Sequence, residues 1–334
     1  MWRKYRVLFV LTTILCMCVL YFFVVIQPST VIQNTVTSRV TANTLRESIP
    51  YWRGKIMELG PEKAYATFLK EASSDTISAH DQAHAFGEAL YEEEGITGLQ
   101  YCDSSFEFGC YHSFFGIAVY KEGVGVLPQF SEACKDKFKT MNLPCEHGIG
   151  HGVLVYADYT NLEKALELCE TISKLPTGGC SSGVFMEYNF HTMDDSVGNT
   201  YQRDTKDDLY APCNNLPERF QASCYFEQVQ LWQNMFESDF KYIGSLCSQL
   251  QWGSDKYRAC YNGIGNYVAA EFKNSYTGIL SQCSLMPDEQ SKGLCYEGAS
   301  WLVRFDSNIL YNPEILCAEV QDPFRTSCLE KLKF

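Results

Sequence analysis

The chain carries six histidines, His80, His84, His112, His147, His151 and His191, and none in its last 143 residues. Five of them share a register. Counted from the second cysteine of a recurring cysteine pair, His112 and His147 stand at +2 and His151 at +6. The segment His80-Asp-Gln-Ala-His84 overlays His147-Gly-Ile-Gly-His151. Residues four apart lie on one helix face, about 6 Å apart along the axis, so three successive helices present imidazoles to one surface. The middle helix has Gly116 where its neighbours have His84 and His151. With axes packed 8–10 Å apart, the outer two helices stand about 16–20 Å apart. The register therefore predicts two imidazoles reaching toward each other over an empty glycine position.

Imidazoles joined by a carboxylate suit Zn, Fe, Cu or Ni and do not favour Ca or Mg. The candidate ligands are His80, His84, His112, His147, His151 and Glu187, the last at +7 of the following repeat. That set is large enough for a dinuclear centre. Asp81 and Glu146, each beside a histidine, and His191, one turn past Glu187, are candidates to hold a ligand's second ring nitrogen. If coordination positions stay open, a bound water is activated or displaced by substrate, so metal-dependent hydrolysis and oxidative chemistry both follow. No single catalytic residue stands out. A metal-free polar or acid–base pocket is the competing reading, because Asn262, Asn266, Glu297 and Trp301 occupy the same positions in later repeats. The chain has no HExxH or CxxC motif, which argues against a zincin and a zinc ribbon.

The elements that must position these residues are written in cysteines. Fourteen cysteines beyond residue 100 pair in order: Cys102 with Cys110, Cys134 with Cys145, Cys169 with Cys180, Cys213 with Cys224, Cys247 with Cys260, Cys283 with Cys295, and Cys317 with Cys328. The second cysteines follow one another by 35, 35, 44, 36, 35 and 33 residues. A fixed period in this range marks a helical solenoid. The segments CYHSFFGIAV, CEHGIGHGVL, CSSGVFMEYN, CYNGIGNYVA and CYEGASWLVR, starting at Cys110, Cys145, Cys180, Cys260 and Cys295, each open an apolar helix B. A short amphipathic helix A precedes each pair. The expected fold is all-α, an αα-hairpin solenoid of about eight repeats with one intra-repeat disulfide in seven of them. Glu62–Ala72 and Ser78–Glu94 form a cysteine-free first hairpin. Each bridge closes a short loop, adding about 2–4 kcal/mol to its hairpin. Metal thiolates are the rival reading, but zinc sites want cysteines two to four residues apart. The longest spacing places an insertion at Thr192–Asp208.

The stretch GCYHSFFGIAVYKEGVGVLPQFSEAC (Gly109–Cys134) resembles the cysteine-rich Sel1-like repeats, relatives of the tetratricopeptide repeat. The resemblance covers roughly Tyr51 to the C-terminus as architecture. It implies a superhelical scaffold with a concave face, and no particular activity.

Ahead of the repeats, Arg3, Lys4 and Arg6 precede an uncharged apolar run, Val7–Ile26. Twenty such residues span about 30 Å as a helix, enough to cross a bilayer. The run is longer than the core of a cleaved signal peptide, and no small-x-small site follows it closely. The expected layout is a cytoplasmic N-terminus (1–6), an anchor in the lipid bilayer (7–26), a stalk (27–48), histidine-bearing repeats (49–195) and disulfide-stapled repeats (196–334), with the ectodomain extracytoplasmic. A net charge of −13 argues against nucleic acid as a partner. If no metal binds, the concave groove is expected to serve as an adaptor for a peptide or an envelope protein.

Overall fold

Segments that are apolar on all sides alternate with short amphipathic ones, and the two kinds become two layers. The computed structural model describes residues 42–72, 79–106, 108–138, 143–159, 161–193, 208–273, 275–305 and 312–333. The expected cytoplasmic N-terminus and anchor, the stalk up to residue 41, and residues 194–207 of the insertion lie outside the described residues. Among the described residues no helix is long and apolar enough to cross a membrane.

The helices are α1 (Ala42–Leu59), α2 (Pro61–Ala72), α3 (Ala79–Glu94), α4 (Gly109–Glu122), α5 (Leu127–Phe138), α6 (Leu143–Tyr156), α7 (Leu162–Glu170), α8 (Cys180–Met193), α9 (Glu218–Met235), α10 (Phe240–Cys247), α11 (Asp255–Glu271), α12 (Tyr276–Cys283), α13 (Glu289–Phe305), α14 (Glu314–Cys317) and α15 (Phe324–Lys331). The B helices α3, α4, α6, α8, α9, α11, α13 and α15 pack side by side in that order. The A helices pack against this layer, each touching its own hairpin partner and, from α7 on, the preceding B helix as well. Helix α7 shows why: Ala165, Leu166 and Cys169 face in, Glu163 and Glu167 face water, and the Asn161 side chain accepts the Lys164 backbone N–H to start the helix.

All seven expected disulfides are present, from Cys102 with Cys110 through to Cys317 with Cys328, with Cα–Cα separations of 5.3–5.8 Å. The last of them ties the short helix α14 to α15, and Cys328 is buried there with its Sγ 3.5 Å from the Ser300 hydroxyl of α13. Seven bridges suit an oxidising, extracytoplasmic compartment.

The structure departs from the sequence reading in three places. Helix α1 begins at Ala42, inside the segment read as stalk, and packs on α3 at the end of the B layer. There it covers the apolar edge that a terminal repeat would otherwise expose to water. Its Trp52 is buried edge-on against Phe68 and Phe86 and donates its indole N–H to Gln82. Trp52→Ala is expected to cost about 3–5 kcal/mol, read as a lower urea midpoint with a similar slope. Second, the A element before Cys102 is a 3-10 helix, Gly95–Tyr101, where two glycines in seven residues weaken an α-helix. The A element before Cys224 is likewise short in the described residues, the 3-10 turn Cys213–Asn215 between Pro212 and Pro217. Third, the B layer curls so far that Ala79 and His80 of the first hairpin share a cavity with Trp301 and Leu302 of the seventh. Between them lies a partly open chamber.

Glycine sets how closely B helices approach. A Cβ on Gly183, at +3 in α8, would stand 1.9 Å from the His147 carbonyl oxygen, and one on Gly298 in α13 would stand 2.0 Å from that of Asn262. In α9 the +3 position is Glu227, and the Asn189 side chain spans the junction by donating to the Glu227 carbonyl at 2.7 Å.

Candidate metal centre

Because α3, α4 and α6 are consecutive in the B layer, the +2 and +6 positions meet. The imidazole centroids of His80, His84 and His112 lie 4.5–5.4 Å apart. Those of His112, His147 and His151 lie 4.2–5.6 Å apart. Each triad offers three ligand atoms within 4.8 Å of one another, and His112 belongs to both. His84 Nε2 stands 3.3 Å from His112 Nδ1. His112 and His151 are buried, and the other three are half-buried. Burial first, then neighbouring imidazoles, hold His84, His112 and His147 well below the ordinary histidine pKa. Neutral rings keep a lone pair for a metal at neutral pH.

Two of the rings are fixed from behind. His80 Nδ1 donates to the Phe106 carbonyl at 2.8 Å, which leaves Nε2 as the free lone pair. Phe106 has φ 54°, a left-handed conformation uncommon outside glycine. His151 Nδ1 donates to Glu187 Oε2 at 2.8 Å, and Tyr159 donates its hydroxyl to Glu187 Oε1 at 2.8 Å. Burial alone would raise the Glu187 pKa, but the hydrogen bonds and charge of His151, with Tyr159, outweigh it and hold the carboxyl below its usual value. When His151 is neutral, its Nδ1–H bond to Glu187 leaves the lone pair on Nε2. That atom is buried and has no hydrogen-bond partner in the protein. A buried nitrogen left without a partner costs about 1–3 kcal/mol unless something binds it.

The remaining sequence candidates take other places. Both Glu187 oxygens accept from His151 and Tyr159, so the residue orients a histidine rather than joining the triads. His191 stacks on the Tyr159 ring at 4.1 Å, bracing that support. Glu146 is buried against Ser173, with its carboxyl raised by desolvation. Asp81 is half-buried, while the acceptors that hold His80 and His151 are Phe106 and Glu187. His84, Gly116 and His151 line one cavity, and the His112 ring meets both of these imidazoles. The glycine does leave open space, with nothing within 4 Å of an added Cβ.

Sequence reasoning missed three participants. Met186 Sδ lies 3.4 Å from His147 Nε2. It stands at +6 from Cys180, the position of His151 in the preceding repeat, so the register contained the signal. Tyr159 and the Phe106 carbonyl lie in turns outside the repeat register and carried none.

Two cavities flank the cluster. One, of about 660 Å³, is lined by His80, His112, His147, Met186, Glu227 and Trp301 among others. The other, of about 290 Å³, meets His84, His112, His151, Glu187 and Gly116. Burial pushes the Glu227 carboxyl up to about 8, partly offset by hydrogen bonds from Tyr267, at 2.6 Å to Oε2, and Ser182. The larger chamber therefore has His112 and His147, whose pKa values burial lowers, at one side and Glu227, whose pKa burial raises, at another. Glu187→Gln, which removes the charge behind His151, is expected to lower metal affinity about 10–100-fold with the fold intact, measured by competition against a chelator.

No family model, curated protein or solved structure matches this chain.

Proposed function

We propose that this chain is a membrane-anchored, extracytoplasmic helical-repeat protein whose first hairpins bind a transition-metal ion through His80, His84 and His112, with His147 and His151 alongside. On this reading residues 7–26 lie in the bilayer, and the hairpins form a solenoid of the Sel1-like kind. The observation that carries it is the convergence of the first triad. Two nitrogens each about 2.0–2.1 Å from a tetrahedral ion stand about 3.3–3.4 Å apart. His84 Nε2 and His112 Nδ1 are 3.3 Å apart already. The three rings cross at 57°, 69° and 81°, so their lone pairs can meet at one point. Three imidazoles suit Zn, Cu, Fe or Ni and leave at least one position open to water or a ligand.

The adaptor reading is less well supported. A peptide groove has no use for five clustered histidines, and a chamber of about 660 Å³ falls in the range of small-molecule sites. Such a chamber beside an open coordination position suits a small ligand that reaches the metal. The test is metal content by plasma mass spectrometry on the purified chain and on His84→Ala. Near-stoichiometric metal in the wild type, lost in a variant with an unchanged circular dichroism spectrum, supports the site. Metal-free protein after reconstitution with each of Zn, Cu, Fe and Ni would sink it.

A further inference from the structure

We propose that His112 is shared by two metal ions: one held with His80 and His84, and a second, of copper type, held from the far side of the ring by His147 and His151 with the Met186 thioether in reach. This extends the metal-binding reading and rests on it.

Helix α4 lies between α3 and α6, and His112 is the one residue common to both triads. Its Nδ1 is turned to His84, while the rings of His147 and His151 approach it from the following helix. An imidazole offers a second nitrogen, and a ligand atom of His112 lies within 4.8 Å of one on each of His147 and His151. The buried His151 Nε2 is satisfied by nothing in the protein, although Glu187 fixes its ring from behind. The His147 Nε2 and Met186 Sδ pair, 3.4 Å apart, is a weak hydrogen bond at best, because a thioether is a poor acceptor. As two ligands to one ion, the same pair is well matched. Imidazole suits copper, and thioether sulfur selects for it over harder ions.

The two sites are unequally prepared. The rings of the first triad cross steeply, whereas His112 and His151 stack at 24° with centroids 4.2 Å apart. Near-parallel rings do not aim their lone pairs at one point. One of them must turn about its Cβ–Cγ bond before the second ion is held, so the first site fills first. A ring bound through both nitrogens keeps no N–H. The second copper therefore displaces the His112 proton to solvent, and its binding weakens as pH falls.

The test is a Cu(II) titration of the chelator-stripped full-length chain, with copper per chain and the electron paramagnetic resonance intensity measured together. Two coppers per chain, taken up in two steps, are expected, with an integrated signal well below that of two isolated ions because the spins couple through the shared ring. His147→Gln should bind one copper with the full signal of a single ion, and Met186→Leu should weaken the second step at least tenfold. Saturation at one copper in the wild type overturns the shared ring and leaves the first site standing. Two coppers whose signals simply add would also overturn it. No copper at all would instead remove the metal-binding reading beneath it. If His147→Gln does not fold, judged by circular dichroism, the coupling in the wild type alone decides.

Discussion

The metal-free protein is expected to be most stable near pH 6.5 and to lose stability as pH falls toward 5. His84, His112 and His147 have folded pKa values depressed below the unfolded one, about 6.5. Their contribution is present above pH 6.5 and is lost as pH falls, because the unfolded chain then binds up to three protons that the folded cluster refuses. Glu227 runs the other way. Its folded pKa of about 8 exceeds the unfolded value of 4.5, so its contribution is complete below pH 4.5 and is lost as pH rises toward 8. Glu146 and Glu88, also raised by burial, act in the same sense as Glu227. Between pH 6.5 and 5, three imidazoles oppose mainly one carboxyl. The imidazoles outnumber it, so stability falls as pH drops through this window. Above pH 6.5 the histidines no longer matter and Glu227 governs. Urea unfolding of the metal-free chain from pH 5 to 9 should trace this maximum. Glu227→Gln should flatten the alkaline limb and leave the acid limb. An acid limb without slope would mean that the native cluster takes up protons freely and is wetter than described. A saturating metal should lift the curve and move the acid loss to lower pH, since metal and proton compete for the same lone pairs.

Gly183→Ala is expected to be among the most damaging single methyl additions in the fold, while Gly116→Ala should stabilise it. The new Cβ at Gly183 would stand 1.9 Å from the His147 carbonyl oxygen and 3.1 Å from the Gly150 Cα. Both obstacles are backbone, so no side chain can swing aside, and α8 must move off α6 as a body. Overpacking of this kind costs about 3 kcal/mol or more, against which alanine's better helix propensity returns about 1. For a chain of this size each kcal/mol shifts the Tm by about 1–2 °C. The displacement also carries Met186 and Glu187 away from His147 and His151, so metal affinity should fall together with stability. At Gly116 the added Cβ meets nothing, and only the propensity gain of up to about 1 kcal/mol remains. A differential thermal melt of the two variants checks both signs. Equal destabilisation would mean that the α6–α8 approach is looser than its glycine geometry requires.

Much of this architecture was legible because disulfides and helix faces are periodic, and period survives in one dimension. The Cys145–Cys180 spacing predicted one hairpin per bridge, and the +2 and +6 register put His112, His147 and His151 on one surface. Met186 was missed only because methionine reads as core when its register is not followed. Helix α1 was hidden by the polar Ala42–Ser48 stretch, whose helicity depends on Trp52 and Ile56 finding α3.

The order of the helices, the pairing of the cysteines from Cys102 to Cys328, and the five histidines on one face were determined by the sequence alone, since each depends on spacing along the chain. The sequence did not contain the distance between His84 and His112, the hold of Glu187 and the Phe106 carbonyl on the ring tautomers, or the curl that brings Trp301 round to His80. Those depend on how closely each B helix approaches the next, and the curl accumulates over all the hairpins. Glycine contacts of Gly183 and Gly298, and their interruption at Glu227, set that approach only once the helices are packed.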